Sequence, residues 1–207
     1  FGDPAYNLMA PGYEITQNKT LPSPLPSPQI TEISSPIYVR SGVTLTLSTN
    51  AALEFSGKGQ LIIDEGATLE IGDNVTIKGQ NSTNRILING TLCGLGGNST
   101  NPIAINGLTL ESLDGTTWAG LEFSNPNLTL KMNGCSISNC GISGELAGFE
   151  TRASGTFTNS SLHFSPSGLI VDGCSFNTTD ILVTNYEELM VSAQILNSSF
   201  QNSPTDA

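Results

Sequence analysis

The sequence predicts an all-β protein, a right-handed parallel β-helix (solenoid) of about 24 residues per coil that follows a proline-rich N-terminal extension. Three observations predict this fold class. Glycine, asparagine and aliphatic positions recur at this constant spacing. Apolar and polar residues alternate within each repeat, and no segment shows a strong helical period.

The repeat is clearest between residues 37 and 98. Four sets of positions share the spacing: Gly42, Gly66 and Gly90; Asn50, Asn74 and Asn98; Val39, Ile63 and Leu87; and Leu47, Ile71 and Leu95. Such units bury their apolar faces by stacking, so equivalent residues are expected to form columns along a solenoid.

Each unit contains about three short strands separated by Gly, Asn and Ser clusters. Val43, Leu45 and Leu47 alternate with Thr44 and Thr46, which is the pattern of a half-buried strand. Successive coils then pair as parallel strands, and the crossover rule makes the winding right-handed. The asparagine series is expected at one corner, since Asn tolerates left-handed backbone angles.

Residues 1–36 are predicted to be a proline-rich extension or linker, because seven of the eleven prolines lie there. Residues 37–207 are predicted to form the β-helix. Leu121 and Leu162 occupy similar motifs, but the interval between them is clearly longer than one repeat. We therefore predict an inserted loop and place it near residues 140–158.

Composition excludes several classes of protein. The chain has 7 Lys and Arg against 18 Asp and Glu, a net charge of −11, which argues against nucleic acid as a partner. No apolar run approaches the ~20 residues that span a bilayer. No signal peptide precedes Phe1. We therefore expect a mature or excised form of an extracellular or cell-surface protein.

The segment from Ile37 to Phe200 resembles the β-helix repeats of large secreted and surface proteins of Bacteroidota-like bacteria. The motifs are Gly90-Thr91-Leu92, Gly96, Asn101-Pro102-Ile103, Trp118-Ala119-Gly120-Leu121-Glu122-Phe123 and Cys135-Ser136-Ile137. Ala119 departs from the pattern. The opening residues 1–8, FGDPAYNL, resemble the end of gingipain-type peptidase domains, which implies a downstream piece of a longer surface protein.

Polysaccharide lyases and hydrolases of this fold use clustered carboxylates or a calcium site. Asp64, Glu65 and Asp73 are the candidate cluster and the candidate Ca²⁺ ligands, with solvated corner residues as the favoured alternative. His163 lies between Leu162 and Phe164 and is predicted to face solvent.

The four cysteines fit no zinc-binding spacing. Cys135 and Cys174 occupy equivalent repeat positions and are candidates for a disulfide. Cys135 with Cys140 is a second option, and Cys93 is the remaining candidate. The alternative is free, buried cysteines that act as small hydrophobes.

Two further sets of residues are candidate sites. The predicted insertion is a candidate recognition loop, with Glu145, Phe149, Glu150 and Arg152 as its binding residues. Nine Asn-x-Ser/Thr sequons are candidate glycosylation sites: Asn18, Asn74, Asn81, Asn89, Asn98, Asn127, Asn159, Asn177 and Asn197.

No motif indicates a catalytic residue or a resident cofactor. We expect a non-catalytic β-helix domain with a structural or adhesive role. Its partners are expected to be copies of itself, which would stack end to end into filaments, or other surface proteins. The alternative is a carbohydrate-binding or polysaccharide-degrading module, with glycans as ligands.

Overall fold

A computed structural model describes residues 12–21, 30–98, 100, 102–183, 192–202 and 205–206. Within these ranges the regular elements are all β-strands. Each strand pair is parallel, and the chain winds as a solenoid with about 24 residues per turn in its first half. The predicted fold class is confirmed. None of the described residues form a helix long and apolar enough to cross a membrane.

The strands form three sheets, which we call faces A, B and C. Face A contains Tyr13–Ile15, Pro36–Val39, Gln60–Ile63, Arg85–Ile88, Ile105–Asn106, Trp118–Ser124, Thr129–Asn133, Cys140–Arg152, Ser161–Asp172, Asp180–Val183, Ser192–Leu196 and Thr205–Asp206. Face B contains Lys19–Leu21, Thr44–Leu47, Thr68–Ile71 and Thr91–Gly94. Face C contains Ile30–Ile33, Ala52–Phe55, Thr76–Gly79, Thr109–Ser112, Ser136–Ser138, Thr156–Thr158, Ser175–Asn177 and Ser199–Gln201.

The alternating sequence explains the core. On face B, Leu45, Leu69 and Leu92 stack in register on three successive coils, and all three are buried. Thr44 and Thr46, their neighbours along the strand, are only partly buried. Each buried leucine contributes roughly 2 kcal/mol through removal of apolar area from water. The columns therefore hold the coils together.

The corner between faces B and C has a left-handed backbone. Asn50 and Asn74 adopt φ angles of 61° and 57°. Their backbone N–H groups donate to the next coil, Asn50 to the carbonyl of Asp73 at 2.8 Å and Asn74 to that of Asn106 at 3.0 Å. The predicted corner is confirmed for these two residues. Asn98 does not continue it, because it lies in the excursion between the strands Thr91–Gly94 and Ile105–Asn106.

The spacing of 24 residues ends where the strand Gln60–Ile63 pairs with the strand Arg85–Ile88. Ile63 pairs with Ile88 instead of Leu87, because the turn that precedes Arg85 is one residue longer. The buried amide of Asn84 holds this turn: its Oδ1 accepts the N–H of Gln80 at 2.9 Å, and its Nδ2 donates to the Gly59 carbonyl at 3.0 Å. The predicted Leu47–Ile71–Leu95 series also fails, since Gly94 pairs with Ile71 and Leu95 is exposed.

The predicted loop near residues 140–158 is wrong. Residues Cys140–Arg152 form one long strand of face A, which pairs with both Trp118–Ser124 and Thr129–Asn133 of the previous coil. The strand Thr156–Thr158 of face C follows it. Face B is absent from these described coils, so each turn needs only about 20 residues.

The solenoid begins upstream of the predicted boundary at residue 37. Tyr13–Ile15 pairs in parallel with Ile37–Val39, and Lys19–Leu21 and Ile30–Ile33 start faces B and C. The proline-rich stretch 22–29 and the gingipain-like residues 1–8 lie outside the described residues.

Candidate functional site

The three candidate carboxylates lie at two corners of one coil. Asp64 and Glu65 follow the face A strand, and Asp73 follows the face B strand. The intervening strand Thr68–Ile71 spans roughly 13 Å at about 3.3 Å per residue. Among the residues that the structure describes, no three His, Cys, Asp or Glu side chains are placed to hold a metal ion. The structure therefore does not bring these carboxylates together.

Asp64 belongs instead to a ladder of charges across three coils. The Arg40 guanidinium donates to Asp64 Oδ2 at 2.8 Å and also to Glu14 Oε1 on the preceding coil. This hydrogen bond and the charge of Arg40 lower the pKa of Glu14. The guanidinium also lies 4.7 Å from the ring centroid of Tyr38. Arg40 thus joins neighbouring coils on the outside of face A.

Other charged residues pair in the same way. Lys78 Nζ lies 3.0 Å from Glu111, Arg85 Nη1 lies 3.0 Å from Glu122, and Arg152 Nη1 lies 3.6 Å from Asp172. Each pair connects adjacent coils. These side chains are partly exposed, so one pair contributes at most about 1 kcal/mol. Their regular arrangement along the solenoid indicates a stabilising role.

His163 faces outward, as predicted. Its neighbours on adjacent coils are Ser143 and Leu182, and its side chain is 43% exposed. Its Nε2 lies 2.7 Å from Asp180 Oδ2 on the next coil. The ring therefore links two coils.

All four cysteines are free and buried. Strand register places Gly155 between Cys135 and Cys174 on one corner column, so the two thiols lie two coils apart. Two coils separate the Cα atoms by roughly 9.6 Å, beyond the range that a disulfide spans. The candidate Cys135–Cys174 bond is excluded for this reason, neither Cys140 nor Cys93 is bonded, and the alternative of free, buried cysteines is the one that the structure shows.

The corner cysteines and their equivalents share one hydrogen-bonding role. Cys135 Sγ lies 3.4 Å from the Asn133 carbonyl, and Cys174 Sγ lies 3.4 Å from the Asp172 carbonyl. Ser198, at the same position one coil on, donates to the Leu196 carbonyl at 2.8 Å. The segments Cys135-Ser136-Ile137, Cys174-Ser175-Phe176 and Ser198-Ser199-Phe200 therefore each begin with a thiol or hydroxyl that bonds a corner carbonyl.

Burial makes these thiols poor nucleophiles. It raises the pKa of Cys93 to about 11, that of Cys135 to about 11 and that of Cys140 to about 12. The charge of Glu70 adds to the shift at Cys93. Because the thiolate is the reactive form, these three cysteines have a structural role at neutral pH.

The sequons differ in exposure. Six of the asparagines are exposed, and three are partly buried: Asn81, Asn89 and Asn177. The side chain of Asn159 donates to Asn139 at 2.6 Å, and that of Asn197 donates to Asp172 at 3.0 Å. Glycosylation stays a prediction for the exposed set: Asn18, Asn74, Asn98, Asn127, Asn159 and Asn197.

The candidate recognition residues Glu145, Phe149, Glu150 and Arg152 lie in a β-strand and not in a loop. Phe149 is fully buried between Leu130 and Leu169 of the adjacent coils. Glu150 and Arg152 are half-buried, and their charged groups lie 3.8 Å apart. Glu145 is exposed. Their strand conformation, in place of a loop, removes the basis for a joint binding role.

A polar groove lies at the corner between faces A and B. Its volume is about 500 Å³, and it is lined by Glu65, Gly66, Asn89, Gly90, Thr91, Ser124, Asn125, Pro126 and Asn127. Asn125 Nδ2 donates to the Gly90 carbonyl at 2.7 Å, and Asn125 Oδ1 accepts the Asn127 N–H at 3.0 Å. No sequence pattern predicted this groove, although the turn signal Asn125-Pro126-Asn127 contributes three of its lining residues.

The geometry defines a parallel β-solenoid whose charged and polar side chains mainly connect adjacent coils. Comparison of the chain with family models, curated proteins and solved structures finds no match.

Proposed function

We propose that the chain is a non-catalytic extracellular β-helix domain with a structural or adhesive role at a cell surface. The observation that supports this most is the use of charged side chains as inter-coil ties. Arg40 bonds both Glu14 and Asp64, and His163 bonds Asp180. These charged side chains therefore contribute to the contacts between coils.

The surface composition supports the same role. A net charge of −11 and a surface rich in Ser, Thr and Asn keep a long β-structure soluble and discourage edge-to-edge aggregation. The motif resemblance to Bacteroidota-like surface proteins points in the same direction.

The test compares binding with turnover. The purified chain is incubated with a panel of plant and microbial polysaccharides, with and without Ca²⁺, and reducing ends and unsaturated uronates are measured. In parallel, saturable binding to immobilised matrix proteins and to cells is measured with the heat-unfolded chain as control. We expect saturable binding without new chain ends. Turnover that is lost in an Asp64→Asn, Asp73→Asn double variant would overturn the proposal.

A glycan-binding role is the second candidate, and the polar groove favours it. Asn89, Ser124 and Glu65 line the groove with amide, hydroxyl and carboxylate groups, and Pro126 adds an apolar ring. Sugars are bound by such hydrogen-bonding groups together with an apolar surface.

A glycan array probed with the labelled chain tests this second role. We expect the loss of any array signal in Glu65→Ala, while Glu54→Ala, a change on face C away from the groove, leaves it unchanged. A signal that survives Glu65→Ala would place binding elsewhere.

A further inference from the structure

Three asparagines of the chain are followed directly by glycine: Asn89, Asn106 and Asn133. In such a pair the backbone nitrogen of the glycine can attack Cγ of the asparagine, because glycine has no Cβ atom to hinder the approach. The N–Cγ bond forms, the Cγ–Nδ2 bond breaks, and the backbone amide proton leaves with Nδ2 as ammonia. Water then opens the resulting succinimide ring to aspartate or isoaspartate. The fold decides which of the three pairs can react.

Two of the pairs are held by hydrogen bonds between coils. Asn106 Nδ2 donates to Asp73 Oδ1 at 3.0 Å, and Asn133 Nδ2 donates to Asn106 Oδ1 at 3.3 Å. The backbone N–H groups of Gly107 and Gly134 each donate to a carbonyl of the following coil at 2.9 Å. At both pairs, therefore, the attacking nitrogen and the leaving nitrogen are already bonded.

Asn89 has a different environment, in the polar groove at the corner between faces A and B. The Ser124 hydroxyl donates to Asn89 Oδ1. Attack on Cγ places negative charge on this oxygen, and the hydroxyl stabilises that charge. No described residue is bonded to Asn89 Nδ2, so this nitrogen is free to leave. The Ile63 carbonyl accepts both the Asn89 N–H at 2.9 Å and the Gly90 N–H at 3.2 Å, so the attacking nitrogen shares its acceptor.

Exposure ranks the three pairs in the opposite order. Gly90 is buried, whereas Gly134 is exposed to solvent. If access of water and hydroxide to the glycine nitrogen governed the reaction, Asn133 would react before Asn89. Hydrogen bonding and exposure thus make opposite predictions, which a single experiment on one molecule can separate.

We propose that Asn89 is a site of spontaneous succinimide formation in the folded protein, whereas the inter-coil hydrogen bonds protect Asn106 and Asn133. The product places a carboxylate in the groove that Glu65 also lines, adds a negative charge there and removes an amide donor. This inference concerns covalent modification and is independent of the proposed structural or adhesive function.

Peptide mapping by mass spectrometry tests the proposal. The full chain is incubated in mildly alkaline buffer, folded and in urea, and digested with trypsin over a time course. Cleavage after Lys131 separates Asn133 from Asn89 and Asn106, and electron-transfer fragmentation assigns each site and distinguishes isoaspartate from aspartate. In urea we expect similar rates at all three sites. In the folded chain we expect Asn89 to react at least about fivefold faster than the other two, which must break further hydrogen bonds.

Ser124→Ala tests the role of the hydroxyl. Ser124 is exposed, so its replacement is compatible with folding, and circular dichroism verifies this. We expect the rate at Asn89 to fall by about two- to tenfold, with the rates at Asn106 and Asn133 unchanged. Ser82→Ala is the matched control, because Ser82 is also exposed but lies at the other end of the strand Arg85–Ile88.

Three results would overturn the proposal. The first is a rate at Asn106 or Asn133 in the folded chain that equals or exceeds the rate at Asn89. The second is a Ser124→Ala variant in which Asn89 reacts as fast as before or faster. The third is a folded chain without product at Asn89 after a period in which the unfolded chain reacts. Glycan and matrix binding are measured on freshly purified chain, so these results and the test of the proposed function fail separately.

Discussion

Gly79 lies directly against the indole ring of Trp118. A Cβ atom built on Gly79 would be 2.2 Å from Trp118 Cδ2 and 2.4 Å from Cε3, closer than two carbon atoms can approach. Trp118 is buried and stacks at 6.0 Å on Phe55. The glycine on face C thus makes room for the largest side chain of the core.

We expect Gly79→Ala to destabilise the protein by about 1–3 kcal/mol, because the indole must move within a packed core. Urea unfolding followed by Trp118 fluorescence measures the change. Gly168→Ala is the matched control, since its Cβ would meet no atom within 4 Å and its φ angle is not positive. Equal stabilities for the two variants would contradict the packing argument.

Ala153→Gly should stabilise the solenoid. Ala153 has a φ angle of 59°, which is unfavourable for a residue with a Cβ atom. Its counterparts on the neighbouring coils are Gly134 and Gly173, both with positive φ. Relief of strain, less the greater chain entropy of glycine, leaves roughly 0.5 kcal/mol of stabilisation. A lower melting temperature in this variant would show that the corner is not strained.

The cysteines should react only after unfolding. All four are free and buried, so we expect no alkylation by iodoacetamide in the native protein and four additions in denaturant. Intact mass spectrometry measures both. A native mass that is two hydrogens below the reduced value would instead show a disulfide that the corner geometry does not allow.

Stability should fall at alkaline pH because of the buried thiols. In the folded state burial raises the pKa of Cys135 to about 11 and that of Cys140 to about 12, from an ordinary value of 9.0. Below pH 9 both states keep the proton and the stabilisation is complete. Above pH 9 the thiols of the unfolded chain lose their protons first. Each thiol then lowers the free energy of unfolding by about 1.4 kcal/mol per pH unit, until the pH reaches the pKa of that thiol in the folded state.

The melting temperature measured between about pH 8 and pH 11 tests this expectation. Cys140→Ser removes one ionisable thiol and keeps a group that can bond a corner carbonyl, as Ser160 does one coil on. Its melting temperature should fall less steeply with pH. Identical slopes for the variant and the unmodified chain would contradict a contribution from Cys140.

Calcium should not change the melting temperature. Asp64 is bonded to Arg40, and Asp73 accepts a hydrogen bond from Asn106 Nδ2 at 3.0 Å. A ligand that binds only the folded state raises its melting temperature, so differential scanning fluorimetry with Ca²⁺ and with Mg²⁺ is a direct test. A rise specific to Ca²⁺, lost in Asp73→Asn, would restore the predicted carboxylate site.

The sequence predicted the fold class because the first coils are nearly identical in length. Asn50 and Asn74 turn equivalent corners, so spacing alone reveals the period. It could not predict the shift at Arg85, which depends on how the buried Asn84 amide satisfies backbone groups from two coils. Such a three-dimensional contact leaves no periodic signal.

The later coils were misinterpreted because their length changes. The interval between Leu121 and Leu162 suggested one repeat plus an insertion. In fact Leu121 pairs with Ile142, and Ile142 pairs with Leu162, so the interval contains two short coils. The loss of face B shortens each turn of the solenoid. Because the number of residues per turn changes, a constant spacing no longer aligns equivalent residues. The ion pairs between coils could not be predicted from the sequence either, since they depend on the register in which adjacent strands pair.

The loss of face B also determines where the molecule can change its length. Between residues 36 and 79 all three faces repeat with the same spacing, as the pairs Ile37–Leu61, Leu45–Leu69 and Leu53–Ile77 show. A tandem duplication of one whole coil there preserves the backbone pairing of all three faces and lengthens the solenoid by about 4.8 Å. The same block does not match the two-faced coils after Cys140. A whole three-faced coil can therefore be added or removed only in this N-terminal part, whereas a coil inserted after Cys140 must have two faces and about 20 residues.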